Sequence, residues 1–262
     1  MKTFIFAIAA LVAVSIPADA GEISLEGLDA LPSADVYILG EVHDNALHHQ
    51  GQARVVRAVK PKAVVFEMLS PQQAAKITPE LLKDQTALGA ALEWEASGWP
   101  DFAIYWPVFE ALRDAKVYGA ARPREQVRRA FKEGAAAVFG AGYGLDQPLP
   151  DGQLEQRKQE QFADHCEAMP LDMMGGMVEA QRFRDAAFAD TVMQAYRETG
   201  GPVVLITGNG HARKDWGVPV MLEGAKVLVV GFVEEPADGE QPFDFWVVTD
   251  PAEREDPCLA FK

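Results

Sequence analysis

Three short apolar runs constrain this chain more than any other feature, because each stops at polar residues able to do chemistry. Val36 to Leu39 (VYIL) runs into Gly40, Glu41 and His43, and Ala63 to Glu67 (AVVFE) ends in an acid. Val203 to Thr207 (VVLIT) leads into Gly208-Asn209-Gly210-His211. Runs this short, apolar at successive positions rather than at alternate ones, read as strands buried on both faces, the mark of a parallel sheet. Lys116 to Ala120, Lys226 to Val233 and Phe243 to Val248 supply further strand runs, and helical patterns separate them. Asp44 is a natural N-cap for a helix whose stripe continues through Val55, Val56 and Val59, and Lys60-Pro61 ends it. The expected fold is therefore α/β, a mostly parallel central sheet with helices on both faces.

Between the second and third of these runs the pattern is largely helical. Pro71 and Pro79 each start a short helix, and Trp94 to Phe109 is rich in aromatics that suit either the core or a pocket wall. A helical run follows Pro123 through Lys132, and Gly134 to Gly152 reads as a mobile loop or lid with Tyr143 between two glycines. Leu154 to Cys166 and Met173 to Arg197 are two further helices. No repeat, low-complexity tail or linker divides the chain, so residues 21–262 are read as one domain with a helical insertion around 71–200.

The first twenty residues carry Lys2, an apolar run from Phe4 to Ile16, and Ala18-Asp19-Ala20. That is a secretory signal cleaved after Ala20, too short to span a bilayer, which places the mature chain in the periplasm. No later stretch looks transmembrane, and the absence of a cysteine after the cleavage site gives no lipoprotein anchor. The formal charge of −15 argues against nucleic acid or an anionic membrane as partner, since neutralising phosphates needs clustered Lys and Arg. The partner expected is a small molecule, with room left for a homodimer. Cys166 and Cys258 are the only cysteines. Export permits them to pair, which would stabilise by roughly 4 to 5 kcal/mol in the chain-entropy model; two separate thiols are the alternative.

If the three runs are neighbours in the sheet, Glu41, His43, Glu67 and His211 converge on one crevice at the strands' carboxyl ends, where open α/β sheets bind ligands. Two imidazoles and two carboxylates could ligate a divalent metal ion or serve as general acid and base without one. His48 and His49 lie on the first helix beside the valine stripe, as core histidines or as pocket lining. Gln181 and Arg184 share a helix face with Met177 and Phe188, so Arg184 needs a partner: Asp185, another acid, or a ligand carboxylate. A nucleophile elbow, a P-loop and a CxxC motif are absent, and Gly208-x-Gly210 lacks the third glycine of a dinucleotide fingerprint.

LGEVHDNALHHQGQ, VVFEML, an HC followed by a proline, MVEAQRFRDAAFA and VVLITGNGHARKDWGVP, in order from about Val36 to Pro219, resemble the ChaN-like haem-binding uptake family. That family belongs to the TIKI and erythromycin-esterase-like superfamily. The resemblance implies an iron-regulated, haem-associated α/β protein of the bacterial envelope, binding haem or an iron-containing cofactor for uptake, storage or transfer. It also implies an alternative, a metal-dependent hydrolase acting on esters or peptides, because hydrolytic members place acids and histidines at positions matching Glu41, His43, Glu67 and His211. Lipoprotein members carry a lipobox cysteine that this sequence lacks. Haem needs an axial His, Tyr, Met or Cys and cations at its propionates. His48, His49, Tyr105, Tyr143, Gln181 and Arg184 are the candidates for that role.

Overall fold

The computed structural model describes residues 20–235, 239, 241–256 and 258–259, so the leader expected over 1–19 lies outside the described residues. Seven strands form a single sheet in the order β1-β7-β6-β2-β5-β3-β4, and every pairing is parallel. They are β1 (Gly21–Glu22), β2 (Val36–Leu39), β3 (Ala63–Phe66), β4 (Lys116–Gly119), β5 (Val203–Ile206), β6 (Val227–Val233) and β7 (Phe245–Val248). The helices are α1 (Ala46–Val59), α2 (Pro71–Ala74), α3 (Gln85–Ala91), α4 (Phe102–Ala111) and α5 (Arg124–Glu133). Four more follow, α6 (Ala135–Phe139), α7 (Gln153–Asp164), α8 (Met174–Thr199) and α9 (Asn209–Ala212).

Period-two alternation along β2, β3 and β5 sends two sets of side chains to opposite faces. Tyr37, Leu39, Val64, Phe66, Val204 and Ile206 pack with α1 and α4. Val36, Ile38, Ala63, Val65, Val203 and Leu205 pack against Phe188, Val192 and Ala195 of α8. Both faces are covered, which is why these strands carry no polar alternation. The aromatic stretch resolves as core: Trp94, Phe102, Tyr105 and Phe109 are buried together over the α1 face. The segment between β3 and β5 is helical except for β4, which extends the sheet beside β3.

The strand register decides where the polar residues gather. Leu39 of β2 pairs with Ile206 of β5, and Ile206 pairs with Phe66 of β3. The three strands end level and side by side, so the residues after them meet in one place. Asn45, not Asp44, caps α1, its side chain accepting from the Leu47 N–H at 2.9 Å. Asp44 instead pairs with Arg254. Cys166 and Cys258 form a disulfide. No helix among the described residues is long and apolar enough to cross a membrane.

Candidate functional site at the strand ends

The level ends of β2, β3 and β5 form the floor of a cavity of about 840 Å³, which Glu41, His43, Glu67 and His211 all line. Helices α5, α7 and α8 wall it, contributing Arg128, Phe131 and Lys132, then Gln161 and the His165 that follows α7, then Met177, Gln181 and Arg184. Such a volume falls in the range of small-molecule sites, roughly 300–1,000 Å³. Gly208 is required by the close approach at the floor, since a Cβ there would sit 2.9 Å from His43 Nε2.

Glu41 is buried and saturated with donors. Its Oε1 accepts from His43 Nδ1 at 2.7 Å and from the Tyr105 hydroxyl at 2.9 Å, and its Oε2 from Gln52 Nε2 at 2.7 Å. His49 Nδ1 lies 3.4 Å from the same Oε2. Burial alone would raise the Glu41 pKa, but the hydrogen bonds and charges of His43 and His49 hold it well below the usual carboxylate range. The Gln52 carbonyl and the His43 main-chain carbonyl face the two nitrogens of His49 at 3.1 and 3.0 Å. Every partner of that ring is an acceptor, so both nitrogens carry protons and His49 is the buried cation opposite Glu41.

Glu67, also buried, accepts from Arg184 at Oε1 and from the Thr207 hydroxyl (2.6 Å) and Gly208 N–H (2.9 Å) at Oε2. Burial raises its pKa, and His211, Arg184 and His43 bring it down to about 2. His211 is held from behind by Asp185, whose Oδ1 accepts from Nδ1 at 2.5 Å, while Nε2 stands 3.7 Å from Glu67 Oε1. Asp185 is fully buried and turned away from Arg184, so Arg184 finds "another acid", Glu67, as its partner.

The remaining expectations fall differently. His48 is sealed at 0% exposure, its Nδ1 accepting from the Val42 N–H at 2.9 Å and its Nε2 facing Thr249 Oγ1 at 3.0 Å. His49 and Tyr105 are likewise at 0%, spent on Glu41. These three build the floor from beneath and do not line the cavity. Tyr143 sits in a short 3-10 turn with its hydroxyl 3.2 Å from Asp190, along a separate cleft with Arg182 and Trp216. Burial and Asp190 push its pKa up to about 12, so it is a phenol and not a tyrosinate. Gln181 does line the cavity, bridging the Gly210 carbonyl and Gln161. Among the described residues no group of three or more His, Cys, Asp or Glu is arranged to hold a metal ion. In this arrangement both carboxylates accept from protein donors.

Acid is expected to weaken the fold through the residues beneath this floor. Burial pushes the His48 pKa down to about 4. The unfolded chain therefore gains a proton below about pH 6.5 that the folded ring refuses, and stability falls by up to about 1.4 kcal/mol per pH unit towards pH 4. Glu67 acts in the same direction lower down: its contribution is present above 4.5 and is lost as pH falls towards 2. His43 and His49, raised above 6.5 against burial by Glu41, contribute fully below that value and lose the contribution as pH rises through their folded pKa. Urea midpoints measured from pH 8 to 3 should peak near pH 6.5 and decline below it. A midpoint flat between pH 6.5 and 4.5 would contradict the His48 assignment.

A family model described as haem-binding uptake, Tiki superfamily, ChaN, matches residues 28–222. Among solved structures, the one described as "Cofacial heme binding to ChaN of Campylobacter jejuni" is similar at a TM-score of 0.58 and 21% identity, over 82% of this chain and 86% of that one. The type III effector HopBA1 matches at a TM-score of 0.47 and 16% identity, over 92% of this chain and 100% of its own. A Bacillus cereus protein matches at 0.38 and 11%, over 81% of this chain and 70% of its own. The first of these shows a shared fold. No curated protein matches the chain.

Proposed function

Because the chain belongs to the ChaN family of haem-binding uptake proteins in the Tiki superfamily, we propose that its strand-end cavity receives haem, or an iron-bearing molecule of similar shape, as cargo to be taken up, stored or passed on in the periplasm. One observation carries this reading: in a chain of net charge −15, the cavity wall gathers Arg128, Lys132 and Arg184 beside the apolar Phe131, Met177 and Ala180. An apolar slot edged by cations is what a flat macrocycle with two carboxylates requires. Arg184 is engaged by Glu67, which leaves Arg128 and Lys132 for propionates. The cofacial heme of the Campylobacter jejuni relative supports a haem cargo, and the disulfide suits an oxidising compartment.

Titrating the mature protein with hemin tests this directly. A shifted Soret band with a stoichiometric endpoint is expected, and a spectrum equal to that of free hemin at every ratio would refute the reading. Arg128→Ala and Lys132→Ala should each weaken hemin binding about tenfold, the equivalent of roughly 1.4 kcal/mol. Affinity should fall as salt rises. Equal affinities in wild type and both variants would remove the propionate assignment.

A second reading, hydrolysis, is favoured by the Asp185–His211 pair. With Asp185 accepting from Nδ1, Nε2 is the nitrogen turned to the cavity and could take a proton from water. Turnover in an esterase and peptidase panel that disappears in His211→Ala would support it, and no turnover above the buffer rate would end it.

A further inference from the structure

Helix α7 is mostly polar, and the one residue it buries is a charged one, Arg157, at 3% exposure. Burial strips water from the guanidinium and works against its charge, so an arginine in that position is costly unless something pairs with it. The nearest anion is Asp185, whose Oδ2 lies 4.0 Å from Nη2, beyond hydrogen-bond reach. Nε, Nη2 and that Oδ2 are all buried without a partner, and Arg157 makes no hydrogen bond among the described residues. A water bridging Nη2 and Oδ2 would serve that pair and leave the rest of a five-donor fork unfilled.

The other charges nearby are spent. Arg182 gives Nη1 to Glu179 at 2.7 Å and gathers the carbonyls of Gly144, Leu145 and Gln147 with Nη2. Arg213 takes Asp215 through two bonds of 2.7 Å and Glu160 at 2.6 Å, with its guanidinium 3.5 Å from the centre of the Trp216 ring. Arg157 alone keeps its donors open.

Arg157 lines a cavity of about 260 Å³ that shares no residue with the strand-end cavity. Its walls are largely apolar, with Trp216, Leu149, Pro150, Val220 and Met221, and Gln153 adds a neutral amide whose side chain is unbonded among the described residues. Pro148 and Pro150 fix φ along one wall, and the three carbonyls held by Arg182 anchor the loop that leads into it, so little ordering is left for a ligand to impose. The volume lies just below the range of drug-sized sites, roughly 300–1,000 Å³, so the occupant is small. A guanidinium fork reads a planar carboxylate through parallel N–H bonds, and the apolar walls suit the body that carries it.

We propose that this cavity binds a small organic acid, its carboxylate on Arg157 and its apolar body against Trp216, independently of the haem-cargo reading. Calorimetric titration of the mature protein with benzoate, its neutral isostere benzamide and inorganic phosphate tests this, in wild type, Arg157→Gln and Val220→Glu. Val220 is half exposed at the cavity, so the glutamate repels an anion there without disturbing the core. Wild type should bind benzoate saturably at one site, and benzamide about tenfold more weakly. Arg157→Gln should lose about tenfold in benzoate affinity and Val220→Glu about fivefold. Thermal melting shows whether each variant is folded; should Arg157→Gln fail to fold, Val220→Glu decides. No saturable benzoate binding at millimolar concentration, equal affinity for benzamide, or wild-type affinity in the folded variants would overturn the proposal. Phosphate binding more tightly than benzoate would overturn the assignment to an organic acid.

Discussion

Replacing Glu41 by alanine is expected to lower the free energy of unfolding by about 3–5 kcal/mol at pH 7, the cost of removing one partner of a buried ion pair. The size reflects what is left behind. His49, at 0% exposure and protonated on both nitrogens, would lose its counter-charge, and the Tyr105 hydroxyl, the Gln52 amide and His43 Nδ1 would each lose an acceptor. Water cannot replace the carboxylate without opening the packing between α1 and α4. Glu41→Gln keeps the shape and half of the acceptor capacity but not the charge, so it should fall between wild type and Glu41→Ala. Urea unfolding at constant pH with the disulfide intact measures all three. A loss under about 1 kcal/mol in Glu41→Ala would show that His49 is neutral and the network is not ionic.

Removing the disulfide in a Cys166→Ala/Cys258→Ala double variant is expected to cost about 4–5 kcal/mol, because the bond closes a loop with a sequence separation of 92. For a chain of this size that corresponds to a melting temperature lower by roughly 10–20 °C. The cross-link ties the end of the chain to the turn after α7, so it bridges the helical wall of the cavity and the tail beyond β7. The same tail carries Arg254, which pairs with Asp44 at the entrance to α1 and with Glu234. Calorimetry of the double variant reports the change. An unshifted transition would mean that the tail detaches before the sheet unfolds, and that the bond constrains the tail alone.

Much of the fold is legible in the sequence because the buried parallel strands leave an unmistakable signal. Val36 to Leu39 forms β2 to the residue. The runs ending in Glu67 and Thr207 each overshoot their ladder by one, since β3 stops at Phe66 and β5 at Ile206. The main-chain N–H groups of Glu67 and Thr207 still donate to Ile206 and Leu39, one step past the last paired residues, while their side chains hydrogen-bond each other across the strand ends. Strand order is harder to read, because pairing β5 between β2 and β3 depends on contacts more than a hundred residues apart that no local pattern records. The two-residue β1 leaves no pattern at all.

The four strand-end residues are identifiable because strand ends in a parallel sheet face one crevice. Their partners are not. Asp185 reads as the residue after Arg184 on a helix, and only the packing of α8 shows that it turns to His211. His48 and His49 look alike in sequence, yet helical spacing puts one against Thr249 and the other against Glu41, both under the floor. Tyr143 between glycines suggests a free loop, whereas its hydroxyl is held by Asp190. His165 lies in plain view, in the HC pair before a proline, but its contact with the Gln161 carbonyl appears only in the fold.

If the strand-end cavity itself holds the haem, filling that cavity must exclude it. Gly210 lines the cavity, and a Cβ built there meets only Gln181 Nε2, at an ordinary 3.6 Å, so Gly210→Trp can be accommodated by the backbone and fills the space. Hemin titration of wild type and Gly210→Trp, matched for thermal stability, decides between this cavity and any other location. The wild type should reach a stoichiometric endpoint and Gly210→Trp should not; identical titrations would place the haem elsewhere.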